Sequence, residues 1–343
     1  MIDLDGLSMR VGLGQFKHIT EEQLRFIKQC GVDDFLLNTP RLPGQQHWAY
    51  EDLAWLVQQS EEHGLRLMAI ENVPSTFYDH IMLGGPDRER QLENMIQTVQ
   101  NMGRAGIPIL GYHFMPTGVW RTSHTEPARG GAQATGFNLQ IAAGATGQKY
   151  QSLYSEAVEQ REYTVAEMWE HYDWYLERIL PICEVANVRL ALHPADPPVD
   201  FPIGGVPVLF NGFDAFTRAM ERFDSPMHGL NFCHGCWSEM RGGSGVVDAI
   251  RYFGARDKIV YVHFRDVQGT ANAFTECFLG DGNCDPLATV RALREIDFRG
   301  FLIPDHVPKM EGDTPWGHRA RAWTVGYIQA LLTAIPGQAE CCG

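Results

Sequence analysis

The sequence has no long apolar run and no excess of basic residues. No run approaches the roughly 18 apolar residues that a membrane-spanning helix needs. Lys and Arg number 28 against 42 Asp and Glu, which gives a formal net charge of −14. A surface that binds nucleic acid normally shows clustered Lys and Arg. We therefore expect neither a membrane nor a nucleic acid as a partner.

Three familiar motifs are also missing. The opening residues MIDLDGLSMR have neither a basic region nor an apolar core, so they do not form a secretory signal. With eight cysteines in a chain of this size, reduced thiols are then expected, and we predict a cytoplasmic location. The stretch GLGQFKH does not match G-x-G-x-x-G, which disfavours a dinucleotide site. Cys233 and Cys236 form a C-x-x-C pair without a second such pair, so a zinc ribbon is not indicated and Cys236 is predicted to be incidental.

What the chain does contain is a regular alternation of apolar runs and helical patterns. Its 343 residues are 44% hydrophobic and 20% charged, an ordinary globular composition. MRVGLG, for example, precedes TEEQLRFIKQCG, in which Thr20 is a suitable N-cap and Gly31 a stop. Eight such units predict a single α/β domain over residues 1–343, a (β/α)8 TIM barrel. A doubly wound sheet is the alternative.

Two segments depart from this alternation. Residues 115–163 follow the fourth strand-like run, are rich in Gly, Thr, Ala and Gln, and are too long for a plain connection. We expect an insertion that acts as a lid or a subunit arm, with disorder as the alternative. Residues 336–343, PGQAECCG, are predicted to be a mobile tail. The aromatic stretch EMWEHYDWYLERIL is expected to pack on the barrel, and a homo-oligomer interface is its alternative.

Four consecutive strand-like runs end in residues that commonly bind metal ions. These residues are His193, Cys233, His263 and Asp305. Each alone is better explained as a core or capping residue, but the carboxyl ends of barrel strands meet at one rim. Their coincidence therefore predicts a divalent metal site. One thiolate, two imidazoles and one carboxylate suit Zn²⁺, Mn²⁺, Fe²⁺ or Co²⁺.

The motifs HPADPP, NFCHG, VHFR and PDH, in this order, resemble those of the mannonate dehydratase family. ENVP and HFMP, followed by Trp120 and Arg121, resemble its upstream motifs, so the likeness covers most of the chain. The resemblance implies a xylose-isomerase-like barrel with Mn²⁺, or a similar ion, on the four residues named above. It also implies that His306, directly after the aspartate, is catalytic, and that D-mannonate is dehydrated to 2-keto-3-deoxy-D-gluconate in hexuronate catabolism.

Dehydration of a sugar acid removes a proton next to a carboxylate and expels a hydroxyl group. His306 suits the proton transfer because imidazole titrates near neutrality. The substrate carboxylate needs a cation, and its hydroxyls and apolar face need partners. The candidate substrate-binding residues are Glu71, His113, Trp120, Arg121 and Arg265.

The chain departs from the family pattern at three places. Ala195 stands where the family usually has an aspartate, and Val307-Pro308 stands where it has Gly-His. The family tyrosine before the last helix is missing from GDTPWGHRARAW, where His318 is the nearest candidate for its replacement. These departures keep open a metal-dependent isomerase, an epimerase or another lyase acting on a related sugar or sugar acid. A barrel with a purely structural metal is a further alternative.

Overall fold

Eight parallel strands close into a barrel in the computed structural model, which describes residues 6–144 and 161–335. The strands in chain order are β1 (Arg10–Phe16), β2 (Asp34–Asn38), β3 (Arg66–Glu71), β4 (Ile109–Tyr112), β5 (Ser123–Pro127), β6 (Gln133–Asn138), β7 (Arg189–Leu192), β8 (His228–Cys233), β9 (Ile259–His263), β10 (Asp266–Thr270), β11 (Ala273–Cys277) and β12 (Phe301–Ile303). The barrel order is β1-β12-β9-β8-β7-β4-β3-β2. The predicted (β/α)8 barrel is confirmed.

Helices follow the barrel strands and cover their outer faces. In chain order they are α1 (Glu21–Gln29), α2 (Tyr50–Glu62), α3 (Asp79–Leu83), α4 (Arg88–Ala105), α5 (Leu139–Gly144), α6 (Val165–Ala186), α7 (Phe213–Arg222), α8 (His234–Arg241), α9 (Val246–Gly254), α10 (Pro286–Glu295) and α11 (His318–Ala334). Thr20 caps α1 as predicted, since its hydroxyl accepts a hydrogen bond from the Gln23 amide at 3.2 Å. Within the described residues, no helix has the length and apolar character to cross a membrane.

The core has two layers because the barrel strands are buried on both faces. Neighbouring residues Leu36 and Leu37 belong to different apolar clusters, as expected when successive side chains point to opposite faces of a strand. The smaller cluster, which includes Tyr261 stacked on Phe301, fills the barrel interior. The larger one lies between the strands and the helices. Tyr172 of the aromatic helix α6 is fully buried in it, which confirms packing for this side chain.

The segment after the fourth barrel strand contains regular structure that the sequence does not predict. Strands β5 and β6 pair with the β10–β11 hairpin to make an antiparallel sheet in the order β10-β11-β6-β5. Trp120, Phe137 and Phe274 lie in an apolar cluster that packs against this sheet. Residues 145–160, the rest of the predicted insertion, lie outside the described part of the chain, as does the predicted tail 336–343. The role of the insertion as a lid stays a prediction.

Candidate active site

The barrel brings the four predicted metal ligands to one rim. Strands β8 and β9 pair in a register that places Cys233 opposite His263. One potential ligand atom from each of His193, Cys233 and His263 lies within 4.8 Å of the others. Asp305 follows β12, and its Oδ2 atom is 3.3 Å from Nδ1 of His263. All four side chains are buried. The arrangement could hold a metal ion.

Both histidines are oriented as metal ligands usually are. Nδ1 of His193 is 2.7 Å from the Pro194 carbonyl oxygen, to which it donates, and Nε2 is left available. Nε2 of His263 lies 2.6 Å from Oε2 of Glu71. Nδ1 of His263 is buried and has no hydrogen-bond partner in the described residues. A ligating histidine commonly donates a hydrogen bond from its other ring nitrogen to a carboxylate or carbonyl oxygen. Nε2 of His193 and Nδ1 of His263 are therefore suitable metal ligands.

The thiol in this group is prepared to act as a thiolate. Burial alone would raise the pKa of Cys233, but a hydrogen bond from Cys236 and the charge of Arg265 hold this pKa well below its usual value. The thiolate is the form that binds metals. The sequence analysis predicted that Cys236 is incidental, and this prediction is wrong. The hydrogen bond from Cys236 stabilises the negative charge on Cys233.

A cavity of about 220 Å³ opens beside these residues. Six predicted site residues line it, namely Glu71, His113, His193, His263, Asp305 and His306. The sequence analysis missed the other lining residues, which are Gln15, Lys17, Asn38, Thr39, Asn72, Met115, Val119, Asp196 and Arg321. A larger cavity of about 590 Å³ lies among Arg10, Arg189 and Phe301, near the first residues of the strands. Because barrel enzymes place their sites at the carboxyl ends of the strands, the smaller cavity is the candidate active site.

Asp305 and His306 both face this cavity although they are adjacent in sequence. Strand β12 ends at Ile303, so the alternation of a strand no longer applies to them. Nδ1 of His306 lies 2.8 Å from Oε1 of Glu276, a residue of β11. The imidazole is 29% exposed. His306 is thus a partly exposed group at this cavity that can take up or give a proton.

Glu71 was predicted to bind the substrate, but its carboxylate contacts His263, one of the four candidate metal ligands. Its Oε2 atom accepts from the Tyr261 hydroxyl at 2.9 Å in addition to His263. Burial alone would raise the pKa of Glu71, but the neighbouring His263 lowers it. Glu71 is therefore a carboxylate that orients His263. His113 also lines the cavity, and burial lowers its pKa to about 3, so its imidazole is neutral.

Arg121 and Arg265, the predicted carboxylate-binding cations, do not line the cavity. Both side chains are 1% exposed. Arg121 forms a bidentate salt bridge with Asp196, in which Nη1 donates to Oδ1 at 2.6 Å and Nη2 donates to Oδ2 at 2.9 Å. Arg265 contacts four carboxyl groups at 2.9–3.1 Å, those of Asp196, Glu239, Glu276 and Asp305. These contacts occupy both guanidinium groups, so direct binding of a substrate carboxylate is not supported.

Trp120 is also placed differently from its predicted role. Its ring is buried in the apolar cluster under the four-stranded sheet, and Nε1 donates to the Thr117 carbonyl oxygen at 3.0 Å. It does not line the cavity. The predicted contact with the apolar face of a sugar is therefore not supported in this structure.

Comparison with known proteins matches these features to a family. The family model for D-mannonate dehydratase (UxuA) matches residues 13–340. The chain belongs to the D-mannonate dehydratase family. Mannonate dehydratase of Thermotoga maritima is 28% identical over 338 residues and covers 91% of each chain. That of Streptococcus pneumoniae is 29% identical over 342 residues, 94% of this chain and 92% of the relative.

Solved structures agree with this assignment. The crystal structure of mannonate dehydratase from Streptococcus suis serotype 2 superposes with a TM-score of 0.84 at 28% identity, and covers 95% of this chain and 94% of that one. A structure of L-ribulose 3-epimerase gives a TM-score of 0.59 at 16% identity, with 95% of each chain covered. The second likeness shows the shared barrel fold only.

His318 does not take the place of the missing family tyrosine in this cavity. Its ring packs against Phe26 and Trp316, with centroids 4.8 and 4.7 Å away, and Nδ1 is 2.6 Å from the Thr314 hydroxyl. His318 is not among the lining residues. The lining residue from the same helix is Arg321, which has a guanidinium group in place of a phenol. His318 therefore does not compensate for the tyrosine that this chain lacks.

Two other groups of metal-type side chains in the described residues are already engaged. In one of them, Nδ1 of His234 is 2.8 Å from the Arg265 carbonyl oxygen and Nε2 is 2.9 Å from the Thr289 hydroxyl. In the other, Asp196, Cys236 and Glu239 surround the guanidinium group of Arg265. Internal hydrogen bonds and a cation thus occupy the positions that a metal would need.

Proposed function

We propose that this protein converts D-mannonate to 2-keto-3-deoxy-D-gluconate and water. Membership of the D-mannonate dehydratase family supports the reaction. The observation that carries the proposal is one cavity lined by three of the four metal-type ligands and by the partly exposed His306, with the thiol of Cys233 beside it. A divalent metal ion would be held by His193, Cys233, His263 and Asp305. We propose Mn²⁺, which suits this mixture of donors as other borderline ions do.

The reaction divides into tasks for different residues. The proton on carbon 2 must be removed, and the hydroxyl on carbon 3 must leave as water. When bound, the metal ion supplies Lewis acidity that stabilises the negative charge next to the substrate carboxylate. His306 provides a nitrogen inside the cavity that can hold the carbon proton. Neutral His113 and Asn38 line the same cavity, where the imidazole N–H can donate a hydrogen bond to a sugar hydroxyl and the amide oxygen can accept one.

The cation for the substrate carboxylate is assigned to Arg321. Its Nε and Nη1 atoms donate to the carbonyl oxygens of Trp316 and Pro304, at 3.0 and 2.8 Å. These contacts hold the guanidinium in the cavity wall, and no carboxylate within the described residues forms a salt bridge with it. Burial lowers the pKa of Arg321 to about 10, so it remains a cation at neutral pH. A buried cation that forms no salt bridge suits an anionic ligand.

We further propose that part of the insertion after the fourth strand covers the site. Met115 and Val119 line the cavity, and the strands that follow them belong to the four-stranded sheet. Exclusion of water favours an elimination reaction. The six cysteines within the described residues are all free thiols, which supports the predicted cytoplasmic location.

The test is to incubate the protein, loaded with Mn²⁺ and separately with Zn²⁺, with D-mannonate and to assay the 2-keto-3-deoxy product. We expect product that depends on metal and is lost in His306→Ala and Cys233→Ser. His318→Ala is the matched control, because His318 lies outside the cavity, and it should keep its activity. If the metal-loaded protein turns over a neutral ketose or another aldonate but not D-mannonate, the proposal is wrong.

A further inference from the structure

The catalytic histidine has a carboxylate partner that comes from the four-stranded sheet rather than from the barrel. Glu276 lies on β11, and its side chain is 2% exposed. Its Oε1 atom is 2.8 Å from Nδ1 of His306. Its two carboxylate oxygens also contact Arg121 at 2.7 Å and Arg265 at 3.1 Å. Glu276 is therefore held on three sides by groups that can donate hydrogen bonds.

Counting the hydrogens around Nδ1 of His306 decides which nitrogen of the ring carries the proton. Nη2 of Arg121 is also near, at 3.0 Å. This nitrogen has two hydrogens, and both are taken, by Oδ2 of Asp196 at 2.9 Å and by Oε1 of Glu276. Arg121 therefore has no hydrogen left for the imidazole. Nδ1 can bond only by donating its own hydrogen to Glu276.

The other ring nitrogen is consequently unprotonated in the neutral imidazole. Nε2 of His306 makes no hydrogen bond within the described residues, and the carboxylate oxygen of Asp305 is 3.9 Å away. The side chain lines the cavity in which the substrate would lie. A lone pair on Nε2 is what the acceptor of a carbon proton requires.

We infer that Glu276 is a positioning residue that holds His306 in the tautomer with the proton on Nδ1, so that Nε2 acts as the proton acceptor in the dehydration. The inference rests on the proposed function for its chemistry. The C2–H bond breaks, its proton goes to Nε2, and its electron pair forms the C2–C3 double bond as the C3–O bond breaks. The hydroxide released from C3 takes up one proton from solvent and leaves as water, and the enol becomes the ketone as its O2 proton is lost and C3 gains a proton. The proton balance closes when His306 releases to solvent the proton that it took from C2.

Arg121 and Arg265 then have a defined purpose. They fix both carboxylate oxygens of Glu276, and Arg121 is itself anchored by Asp196. Gly235 permits this arrangement, because a Cβ atom at that position would lie 2.3 Å from Nη1 of Arg265. The two arginines act on the reaction through Glu276 and not by contact with the substrate.

The first test is kinetic. Glu276→Gln keeps the size of the side chain but removes the charge, and we expect kcat for D-mannonate to fall by about 10- to 100-fold while KM changes by less than about threefold. Glu239→Gln is the control for disturbed packing around Arg265, since Glu239 is also a buried partner of Arg265 but does not contact His306. It should lose much less of kcat. In the His306→Gln background, Glu276→Gln should cause no further loss of the residual rate. An equal loss in both backgrounds would overturn the inference.

The second test does not depend on turnover. Histidine labelled with ¹⁵N in the Zn²⁺-loaded protein reports the tautomer of each ring, and His306→Gln identifies the signals of His306. We expect hydrogen on Nδ1 in the wild-type protein and a changed or mixed tautomer in Glu276→Gln. The same tautomer in both proteins, with both folded and metal-loaded, would contradict the inference. If D-mannonate is not a substrate but the tautomer changes as expected, the proposed function fails while the role of Glu276 is retained.

Discussion

Replacing Arg265 with methionine should destabilise the protein far more than removing a surface arginine. The guanidinium is 1% exposed and lies 2.9–3.1 Å from four carboxyl groups. Removing one partner of a buried ion pair costs about 3–5 kcal/mol, because charge remains uncompensated in a poorly solvated place. Two effects limit the loss here. Burial and the charge of Asp196 raise the pKa of Glu239 well above its usual value, so that group can stay protonated, and Arg121 still neutralises Asp196.

The measurement is thermal unfolding followed by circular dichroism at one fixed metal concentration. With roughly 2 °C of melting temperature per kcal/mol for a large domain, a loss of about 3–5 kcal/mol lowers Tm by about 6–10 °C. Arg251→Met is the control, because Arg251 is paired with Glu295 at 2.8 Å but both side chains are 51% exposed. It removes the same charge and should leave stability nearly unchanged. Equal losses in the two variants would refute the reasoning.

Three further predictions follow from the site and the barrel. Glu71→Gln should weaken metal binding by about 10- to 100-fold, since a carboxylate that orients a ligating histidine contributes on that scale; metal titration measures this, and unchanged affinity would contradict the role of Glu71. Arg321→Met should raise KM for D-mannonate by about 10- to 100-fold, the equivalent of a charged hydrogen bond, whereas Arg319→Met, on the exposed side of the same helix, should not. Burial lowers the pKa of His228 to about 3, below the value of an unfolded chain, so its contribution to stability is complete above pH 6.5 and declines as the pH falls towards 3. Stability curves of wild type and His228→Gln should therefore diverge below pH 6.5 by up to about 1.4 kcal/mol per pH unit, and parallel curves would argue against a buried neutral His228.

The fold and the ends of the barrel strands could be predicted from the sequence because both depend on local patterns. A buried strand followed by an amphipathic helix is visible in a short window, and the topology then sends every strand end to one rim. His193, Cys233, His263 and Asp305 were all predicted in this way, and the structure brings them together. Their role as ligands stays a prediction.

The partners of the arginines could not be predicted, because pairing depends on residues distant in sequence. Nothing near Arg121 in the chain indicates that Asp196 and Glu276 neutralise it. A guanidinium that binds substrate and one that holds a buried carboxylate look alike in a sequence. Arg321 was overlooked for the opposite reason, since one arginine in a terminal helix resembles a surface residue until its cavity is seen.

The sheet that carries Glu276 also determines when the site is completed during synthesis. Strand β6 pairs with β11, with Gly136 opposite Thr275, so two hairpins from opposite halves of the chain must meet. A ribosome releases the first hairpin long before the second, and β6 remains an unpaired edge in the meantime. The nascent chain can form most of the barrel strands first, because Glu276 and His306 are both synthesised after seven of the eight barrel strands.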